Sequence, residues 1–311
     1  MKRAFTLIEL IVVVGIIGIL SSILIASLSG GTDSARAALC LSNMKNLATA
    51  VQTYAMENKY YPLAGNMVYV NIRRDGQRSV RREYNEVAGW ISLDSQGKYP
   101  TESYTGSSTI GLYSSDDEKV RYALTNGVLW KYISANKETY VCPEHAKRIK
   151  KTDGSLKPNW SYLMNAYFSW NFRDHPYNGD HGRKRYGELP IADKLLLFSE
   201  VPFSGYNAWQ PSGEGGSTET DAILQFSTSG LKESDNVGGI GQSGNEEIGV
   251  NHIHKRLAYA HVAYADGHTE KLRVPMKGKE PDTTQMKELT TWLCVGKDVS
   301  FNAGQYKKID E

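Results

Sequence analysis

An α+β fold is predicted for this sequence, because a long helical segment at the N-terminus is followed by segments with the patterns of β-strands. The helical segment covers residues 5–58. Strand patterns are clearest in KLLLFSEV, residues 194–201, and in the alternating sequence RLAYAHVAYADGHTEKLRV, residues 256–274. Asp266 and Gly267 in the second segment are a preferred pair for the two central positions of a type I′ turn. We therefore predict a β-hairpin with these two residues in its turn.

The first thirty residues combine a basic start with a long apolar run. Two basic residues precede the run from Phe5 to Leu28, whose only formal charge is Glu9. At about 1.5 Å per residue, such a helix crosses a hydrocarbon core about 30 Å thick. A carboxylate inside it is unfavourable by roughly 2.5 to 3.5 kcal/mol on insertion scales, so a cationic partner within an assembly is expected. We predict a transmembrane helix over 5–28 and an assembly role for Glu9.

A secretory signal peptide is the alternative interpretation of this segment, since it also has a basic start and an apolar centre. Its apolar region is shorter, however, carries no acid and ends in small residues at a cleavage site. Here the apolar run continues to Leu28. We therefore expect the apolar segment to stay attached to the mature chain.

The helical pattern continues beyond the apolar run. Apolar residues recur with spacings of four and three, which predicts an amphipathic stem helix over 29–58 that ends before Pro62. This stripe consists of Cys40, Met44, Leu47, Val51 and Tyr54. Residues 59–311 are then expected to form a globular head.

Several segments of the head have recognisable patterns. A cluster of arginines within 73–82 lies among alternating apolar residues, which predicts an exposed hairpin. Residues 127–145 predict a short helix from Gly127 to Ser134 and then a strand into Cys142. Residues 159–172 predict a strand with an adjoining turn, and 202–250 predict a large insertion because they are rich in Gly and Ser.

The chain has three cysteines: Cys40, Cys142 and Cys294. This number is too small for a disulfide-rich framework, and no two of them form a C-x-x-C motif that would suggest a zinc site. If the head lies outside the cytoplasm, Cys40 and Cys142 are the expected pair for one bridge. The alternative is that all three thiols are free. Such a bridge would close a loop of roughly a hundred residues, worth up to about 4.7 kcal/mol in the chain-entropy model.

The charge balance argues against one class of partner. The chain has 36 basic and 34 acidic residues, a formal net charge of +2. This balance supplies no strong field for a polyanion, so we expect no nucleic-acid partner.

The stretch FTLIE, residues 5–9, follows a very short basic leader and resembles the N-terminus of type IV pilins and type II secretion pseudopilins. The resemblance implies that prepilin peptidase removes the leader, residues 1–4, by cutting between Ala4 and Phe5. It also implies methylation of the new amino group of Phe5 and contact of Glu9 with the amino-terminal cation of a neighbouring subunit. Ala4 stands where the family usually has Gly.

A second resemblance covers much of the head. The hairpin is similar to the C-terminal motif of a subgroup of large pilin-like proteins, in which a His is followed by nine residues and then Asp-Gly. In this chain Arg256 occupies the position at that spacing, and the nearest candidate, His254, lies upstream of it with eleven residues between it and Asp266. The segments YVCPEH, SYLMN and KLLLFSE follow the order of this subgroup. The fold implied is a long N-terminal helix packed on an antiparallel β-sheet.

Catalytic and metal chemistry have weak support in the sequence. The residues near the hairpin with the chemistry of transition-metal ligands are His252, His254, His261, His268 and Asp266. Histidines scattered around a hairpin are more often solvated or hydrogen-bonded than metal-bound, and no Gly-x-Ser-x-Gly elbow is present. We therefore expect no catalytic residue and no metal site.

Calcium in the 202–250 loop is one alternative to a chain without cofactors, because some major pseudopilins hold calcium in a C-terminal loop. The loop offers oxygen donors of the type calcium prefers, without the spacing of a defined motif. They are Glu214, Glu219, Asp221, Asp235, Asn236, Glu246 and Glu247.

A cluster of aromatic residues has two interpretations, a glycan-stacking platform or part of the core. Its members are Trp160, Tyr162, Tyr167, Trp170 and Tyr177. Alternating aromatic residues in strands are more often core.

These observations together predict a pilin-like structural subunit of a type IV pilus or type II secretion pseudopilus, without enzymatic activity. It would be held in the inner membrane by residues 5–28, with its head periplasmic or extracellular. The expected partners are other pilin or pseudopilin subunits, prepilin peptidase, the inner-membrane assembly machinery and membrane lipid. The alternatives are a membrane-tethered module that binds a glycan or polymer without polymerising, and a tethered hydrolase.

Overall fold

The computed structural model describes most of the N-terminal helix and the central part of the head. The ranges it describes are 7–64, 67–74, 77–84, 89–92, 117–152, 158–168, 184–189, 191–201, 222–224, 248–254, 257–278, 280–294, 296, 299–302 and 305–308. The α-helices in these ranges are α1 (Leu7–Asn58), α2 (Asp117–Thr125), α3 (Pro143–Thr152) and α4 (Thr283–Cys294). The strands are β1 (Met67–Arg74), β2 (Gln77–Tyr84), β3 (Tyr162–Asn165), β4 (Leu196–Glu200), β5 (Ile223–Leu224), β6 (His252–His254), β7 (Leu257–Tyr264), β8 (Thr269–Arg273), β9 (Met276–Lys277), β10 (Glu280–Pro281), β11 (Val299–Asn302) and β12 (Gln305–Lys308).

Helix α1 is continuous, so the predicted boundary between membrane segment and stem at residues 28 and 29 lies inside one helix. The helix ends at Asn58, as predicted, and Lys59 follows with a left-handed φ of 66°. Of the predicted membrane segment, residues 5 and 6 and the side chains of 23–28 lie outside the described residues. Within the part of the chain that the structure covers, no helix is both long enough and apolar enough to cross a membrane.

The C-terminal half of α1 packs its predicted apolar stripe into the core. Tyr54 is 8% exposed, and the four other members of the stripe are fully buried: Cys40, Met44, Leu47 and Val51. The amphipathic pattern therefore correctly predicts which face of this helix meets the head.

The main sheet has six strands, three of which pair with β7. Strand β8 pairs along one side of β7, while β4 and β6 pair with the two ends of its other side. Strand β3 pairs with the far side of β4. These four pairings are antiparallel, whereas β5 pairs with β3 in parallel, so the predicted antiparallel sheet is mixed at one edge.

Helix α3 lies against α1 and is joined to it by ion pairs. Arg36 Nε is 2.9 Å from Glu144 Oε2, and Lys147 Nζ is 3.0 Å from Asp33 Oδ1. These pairs are partly exposed, so their individual contributions to stability are expected to be small.

The segment before α3 differs from its prediction. The predicted short helix is instead a tighter 3₁₀ turn, Trp130–Ile133, which ends at Ser134, where φ is left-handed at 57°. The predicted strand into Cys142 is wrong, because a second 3₁₀ turn covers Lys137–Tyr140. The side chain of Asn136 caps this turn by accepting a hydrogen bond from the backbone N–H of Glu138. Proline suits the first position of a helix, and Pro143 begins α3.

The strands predicted elsewhere are present wherever the structure describes them. The arginine-rich segment forms the predicted hairpin of β1 and β2, and residues 159–172 contain β3 followed by a 3₁₀ turn. The strand predicted at 194–201 is β4, and all five of its residues are buried. The predicted insertion at 202–250 lies outside the described residues except for 222–224 and 248–250.

The predicted C-terminal hairpin is present as β7 and β8, but its predicted type I′ turn is wrong. The backbone N–H of Gly267 donates to the carbonyl oxygen of Tyr264, and the N–H of Tyr264 donates to that of His268. The loop therefore has three residues, 265–267. Only Gly267 among them has a positive φ, 90°, which is the pattern of a turn followed by a glycine bulge.

The hairpin loop is fastened to α1 by side chains of the helix and its C-terminal extension. Lys45 Nζ donates to the carbonyl oxygen of Gly267 at 2.8 Å. The carbonyl oxygen of Ala265 accepts from Gln52 Nε2 and, at 3.0 Å, from the hydroxyl of Tyr61. The loop is thus part of the packing between the helix and the sheet.

Replacing Gly267 by Val is expected to destabilise the head by more than the same change at Gly278. Both glycines have positive φ, 90° and 72°, where a β-branched residue is strained by about 1 to 2 kcal/mol. A Cβ at Gly267 would also lie 3.0 Å from Gln52 Cγ, whereas a Cβ at Gly278 meets nothing within 4 Å. Chemical denaturation of both full-length variants in detergent measures the difference. Equal stability of the two variants would contradict the close packing of this loop on α1.

Candidate functional site

The N-terminal turns of α1 carry the predicted assembly residue on an exposed apolar surface. Glu9 lies in the first turn of the helix. The large apolar side chains around it and after it are between 46% and 74% exposed: Leu7, Ile8, Leu10, Ile11, Val12, Val13, Val14, Ile16, Ile17, Ile19 and Leu20. Because these residues follow one another, they cover every face of the helix. Ala4 and Phe5 lie outside the described residues.

A disulfide connects α1 to the start of α3. It joins Cys40 and Cys142, whose Cα atoms are 4.9 Å apart and whose separation in sequence is 102 residues. Asn43, one turn further along α1, donates from Nδ2 to the carbonyl oxygens of Glu138 and Val141, both at 3.0 Å. The disulfide and these hydrogen bonds hold the segment before α3 on the buried face of α1.

Beside the disulfide, three strands bring a carboxylate and two imidazoles together in the core. Glu200 at the end of β4 and His261 on β7 are fully buried, and His252 on β6 is 4% exposed. Glu200 Oε1 is 2.9 Å from His252 Nε2 and 3.1 Å from His261 Nδ1. His252 Nε2 is also 3.8 Å from Cys142 Sγ. We call Glu200, His252 and His261 the buried polar cluster.

The hydrogen bonds of this cluster determine its charge. Burial by itself raises the pKa of the Glu200 carboxyl, but the hydrogen bonds from His252 and His261 outweigh burial and lower the pKa to about 2. The carboxylate is therefore ionised at neutral pH, and the two ring nitrogens that face Oε1 carry hydrogen.

Two buried polar atoms of the cluster make no hydrogen bond to the described residues. Among the residues that the structure describes, neither Glu200 Oε2 nor His261 Nε2 has a hydrogen-bond partner. A buried carboxylate oxygen without a donor is unfavourable in a protein core, so this atom calls for an explanation.

The buried polar cluster contains two of the four histidines that the sequence analysis considered as metal ligands. His252 and His261 are hydrogen-bonded in the core, while His268 is partly exposed and its Nδ1 is 2.6 Å from Asp266 Oδ1. The side chain of His254 lies outside the described residues. Sequence reasoning missed Glu200, although an acid at the end of the buried run KLLLFSE already indicates a buried partner.

A metal-binding donor set exists beside the disulfide. The potential ligand atoms of Cys40, Cys142, Glu200 and His252 all lie within 4.8 Å of one another, and all four residues are buried. With the sulfurs bonded to each other, no thiolate is available to bind a metal. The acidic residues predicted as calcium ligands lie outside the described residues, so calcium stays a prediction.

The predicted glycan platform does not form from the residues that can be placed. Trp160 and Tyr162 are fully buried, and Tyr167 is half-buried against the core. Trp170 and Tyr177 lie outside the described residues. For the two buried residues the interpretation as core is correct, because a ring without exposed surface cannot stack on a sugar.

Comparison with known proteins bears on the N-terminal helix. A family model described as the prokaryotic N-terminal methylation motif matches residues 1–25. The N-terminal region of this chain is therefore pilin-like. The predicted resemblance to the pilin and pseudopilin family is confirmed over this region, and the matched motif contains Ala4, Phe5 and Glu9.

Curated relatives point to the same family. The chain is 36% identical over 61 residues to type II secretion system core protein G of Escherichia coli (strain K12), covering 20% of this chain and 42% of that protein. It is 34% identical over 90 residues to the protein of the same name from Klebsiella pneumoniae, covering 29% of this chain and 64% of that protein. The chain thus spans about two fifths of the length of the first relatives it matches. No solved structure matches it significantly.

Proposed function

We propose that this protein is a pilin-like structural subunit that assembles with other pilin or pseudopilin subunits in the inner membrane. Residues 1–4 are removed by prepilin peptidase, the amino group of Phe5 is methylated, and residues 5–28 hold the subunit in the membrane lipid. The head, residues 59–311, is displayed outside the cytoplasm. Its role is assembly and display, with no catalytic step.

One observation carries this proposal: the methylation motif coincides with the exposed apolar N-terminal turns of a continuous helix. Residues 1–25 match the motif, and the large apolar side chains from Leu7 to Leu20 are exposed on all faces of α1. Apolar surface of this extent requires a lipid or protein environment. One face of the C-terminal half of the same helix packs into the core of the head. This continuity supports a subunit whose head is displayed on the helix that anchors it.

The physical role of Glu9 follows from its surroundings. A carboxylate among apolar side chains in a membrane is costly, and a cation brought close to it recovers much of that cost. The amino group of Phe5 in a neighbouring subunit would supply this cation after the leader is removed. Pairing between subunits then favours assembly over isolated subunits.

Mass analysis of the N-terminus of membrane-extracted protein tests the proposed processing. We expect a chain that begins at methylated Phe5. An Ala4→Gly variant should be processed at least as completely, because glycine is the residue usual in the family. An Ala4→Leu variant should retain its leader, because the small side chain before the cut is lost. An intact Met1 in the natural protein, or loss of the whole apolar segment, would contradict the proposal.

A further inference from the structure

The residues around the disulfide have the chemistry of a zinc site. Cys40 comes from α1, Cys142 from the segment before α3, Glu200 from β4 and His252 from β6. Two sulfurs, one imidazole nitrogen and one carboxylate oxygen make a donor set that Zn²⁺ accepts in tetrahedral geometry. Because four separate elements supply these residues, the fold itself brings them together.

The contacts already converge on one position. His252 Nε2 lies 2.9 Å from Glu200 Oε1 and 3.8 Å from Cys142 Sγ, so this one nitrogen is close to both the carboxylate and the sulfur. Within the described residues Glu200 Oε2 has no hydrogen-bond partner. It is therefore free to bind a metal while Oε1 continues to accept from His261 Nδ1, which would orient the carboxylate.

We propose that the head contains a redox-gated zinc site, in which reduction of the Cys40–Cys142 bridge allows Cys40, Cys142, His252 and Glu200 to bind one Zn²⁺. The bridged form binds no metal. The head thus has two alternative crosslinks: a covalent one between α1 and the segment before α3, and one through the metal that also includes β4 and β6.

The chemical steps balance with an external dithiol as the reductant. The dithiol transfers two electrons and two protons to the bridge, which gives two cysteine thiols, and is itself oxidised to a disulfide. Binding of Zn²⁺ displaces the two thiol protons to solvent, and the ring proton of His252 moves from Nε2 to Nδ1. Three anionic ligands then surround the divalent cation.

The geometry requires little movement of the backbone. Tetrahedral coordination with Zn–S bonds of about 2.3 Å places the two sulfurs about 3.8 Å apart. The four donor atoms already lie within 4.8 Å of one another, and the cysteine Cα atoms are 4.9 Å apart. Rotation of the two cysteine side chains about their Cα–Cβ bonds can separate the sulfurs once the bond between them is broken.

Zinc titration of the full-length protein in detergent tests this proposal. The protein is measured with its bridge intact and again after reduction by a phosphine that is then removed. A chromophoric chelator competes for Zn²⁺, and elemental analysis gives the stoichiometry. We expect one Zn²⁺ per reduced chain and none per bridged chain. Co²⁺ in place of Zn²⁺ should give the absorption bands of thiolate-bound tetrahedral cobalt in the reduced chain only.

Variants separate the proposed ligands from other thiols. His252→Ala and Glu200→Gln should each weaken Zn²⁺ binding at least about tenfold. Cys294→Ser is the matched control, because Cys294 is a buried cysteine that belongs neither to the bridge nor to the donor set. It should leave binding unchanged.

Thermal unfolding with and without Zn²⁺ tests the proposal even if reduction or a substitution destabilises the fold. We expect Zn²⁺ to raise the melting temperature of the reduced natural chain, or to restore its folding if reduction unfolds it. The proposal is overturned if the reduced natural chain neither binds Zn²⁺ nor is stabilised by it. It is also overturned if the bridged chain binds equally, or if Cys294→Ser abolishes binding.

Discussion

Replacing Glu9 by Gln is expected to leave the protein in the membrane but to reduce its incorporation into filaments by roughly a hundredfold or more. Insertion should be unchanged or improved, because a charge is removed from the apolar segment. Assembly should fail, because the amino group of Phe5 in the neighbouring subunit loses its counter-charge, and breaking a buried pair in this way costs about 3 to 5 kcal/mol. Quantitative fractionation of membranes and sheared filaments measures both effects.

The matched control is Glu57→Gln on the same helix. Glu57 is exposed near the C-terminal end of α1, where its carboxylate contacts the hydroxyl of Tyr132. The substitution removes the same charge from the same helix outside the apolar segment, so incorporation should persist. Normal incorporation of the Glu9→Gln chain would refute the proposed pairing.

Glu200→Ala is expected to destabilise the head by about 3 to 5 kcal/mol. The substitution leaves the ring N–H groups of His252 and His261 without their acceptor in the core, and each unsatisfied buried donor costs about 1 to 3 kcal/mol. Glu200→Gln keeps an acceptor oxygen of the same shape, so it should cost less, about 2 kcal/mol. Chemical denaturation of the full-length bridged protein in detergent gives these values.

The exposed Glu188 supplies the control for this series. Its carboxylate is 3.5 Å from Arg185 at the surface, and Glu188→Ala should change stability by less than about 1 kcal/mol. If Glu200→Ala unfolds no more readily than Glu188→Ala, the buried polar cluster does not stabilise the head.

The acid dependence of stability should change in the same variants. The pKa of Glu200 is lowered from 4.5 to about 2 on folding, so the stability that its carboxylate supplies is complete above about pH 4.5. This contribution is lost as the pH falls towards 2. In Glu200→Gln no carboxyl titrates at this position, and the loss of stability over this pH window should be smaller than in the natural protein.

Local patterns predicted the parts of the fold that depend on neighbours in sequence. The spacing of Cys40, Met44 and Leu47 identified the buried face of α1, because helical periodicity repeats within a few residues. Alternation identified the strands of the C-terminal hairpin for the same reason. Its turn type depended on two backbone hydrogen bonds, from Gly267 to Tyr264 and from Tyr264 to His268, which side-chain alternation does not reveal.

The buried polar cluster could not be predicted from such patterns. Glu200 lies 52 residues from His252 and 61 residues from His261 in sequence, and their meeting depends on the pairing of three strands. The strand predicted before Cys142 failed for a related reason. Its apolar residues suit either a strand or a turn, and the capping by Asn136 together with the hydrogen bonds from Asn43 determined the outcome.

Immunogold imaging of surface filaments or isolated pseudopili tests the central claim most directly. Antibodies against the head should label filaments from cells that express the natural protein, and labelling should be lost when Glu9 is replaced by Gln. Label confined to the cell membrane, with filaments unlabelled although the N-terminus begins at methylated Phe5, would show that the protein is processed like a pilin without being an assembled subunit.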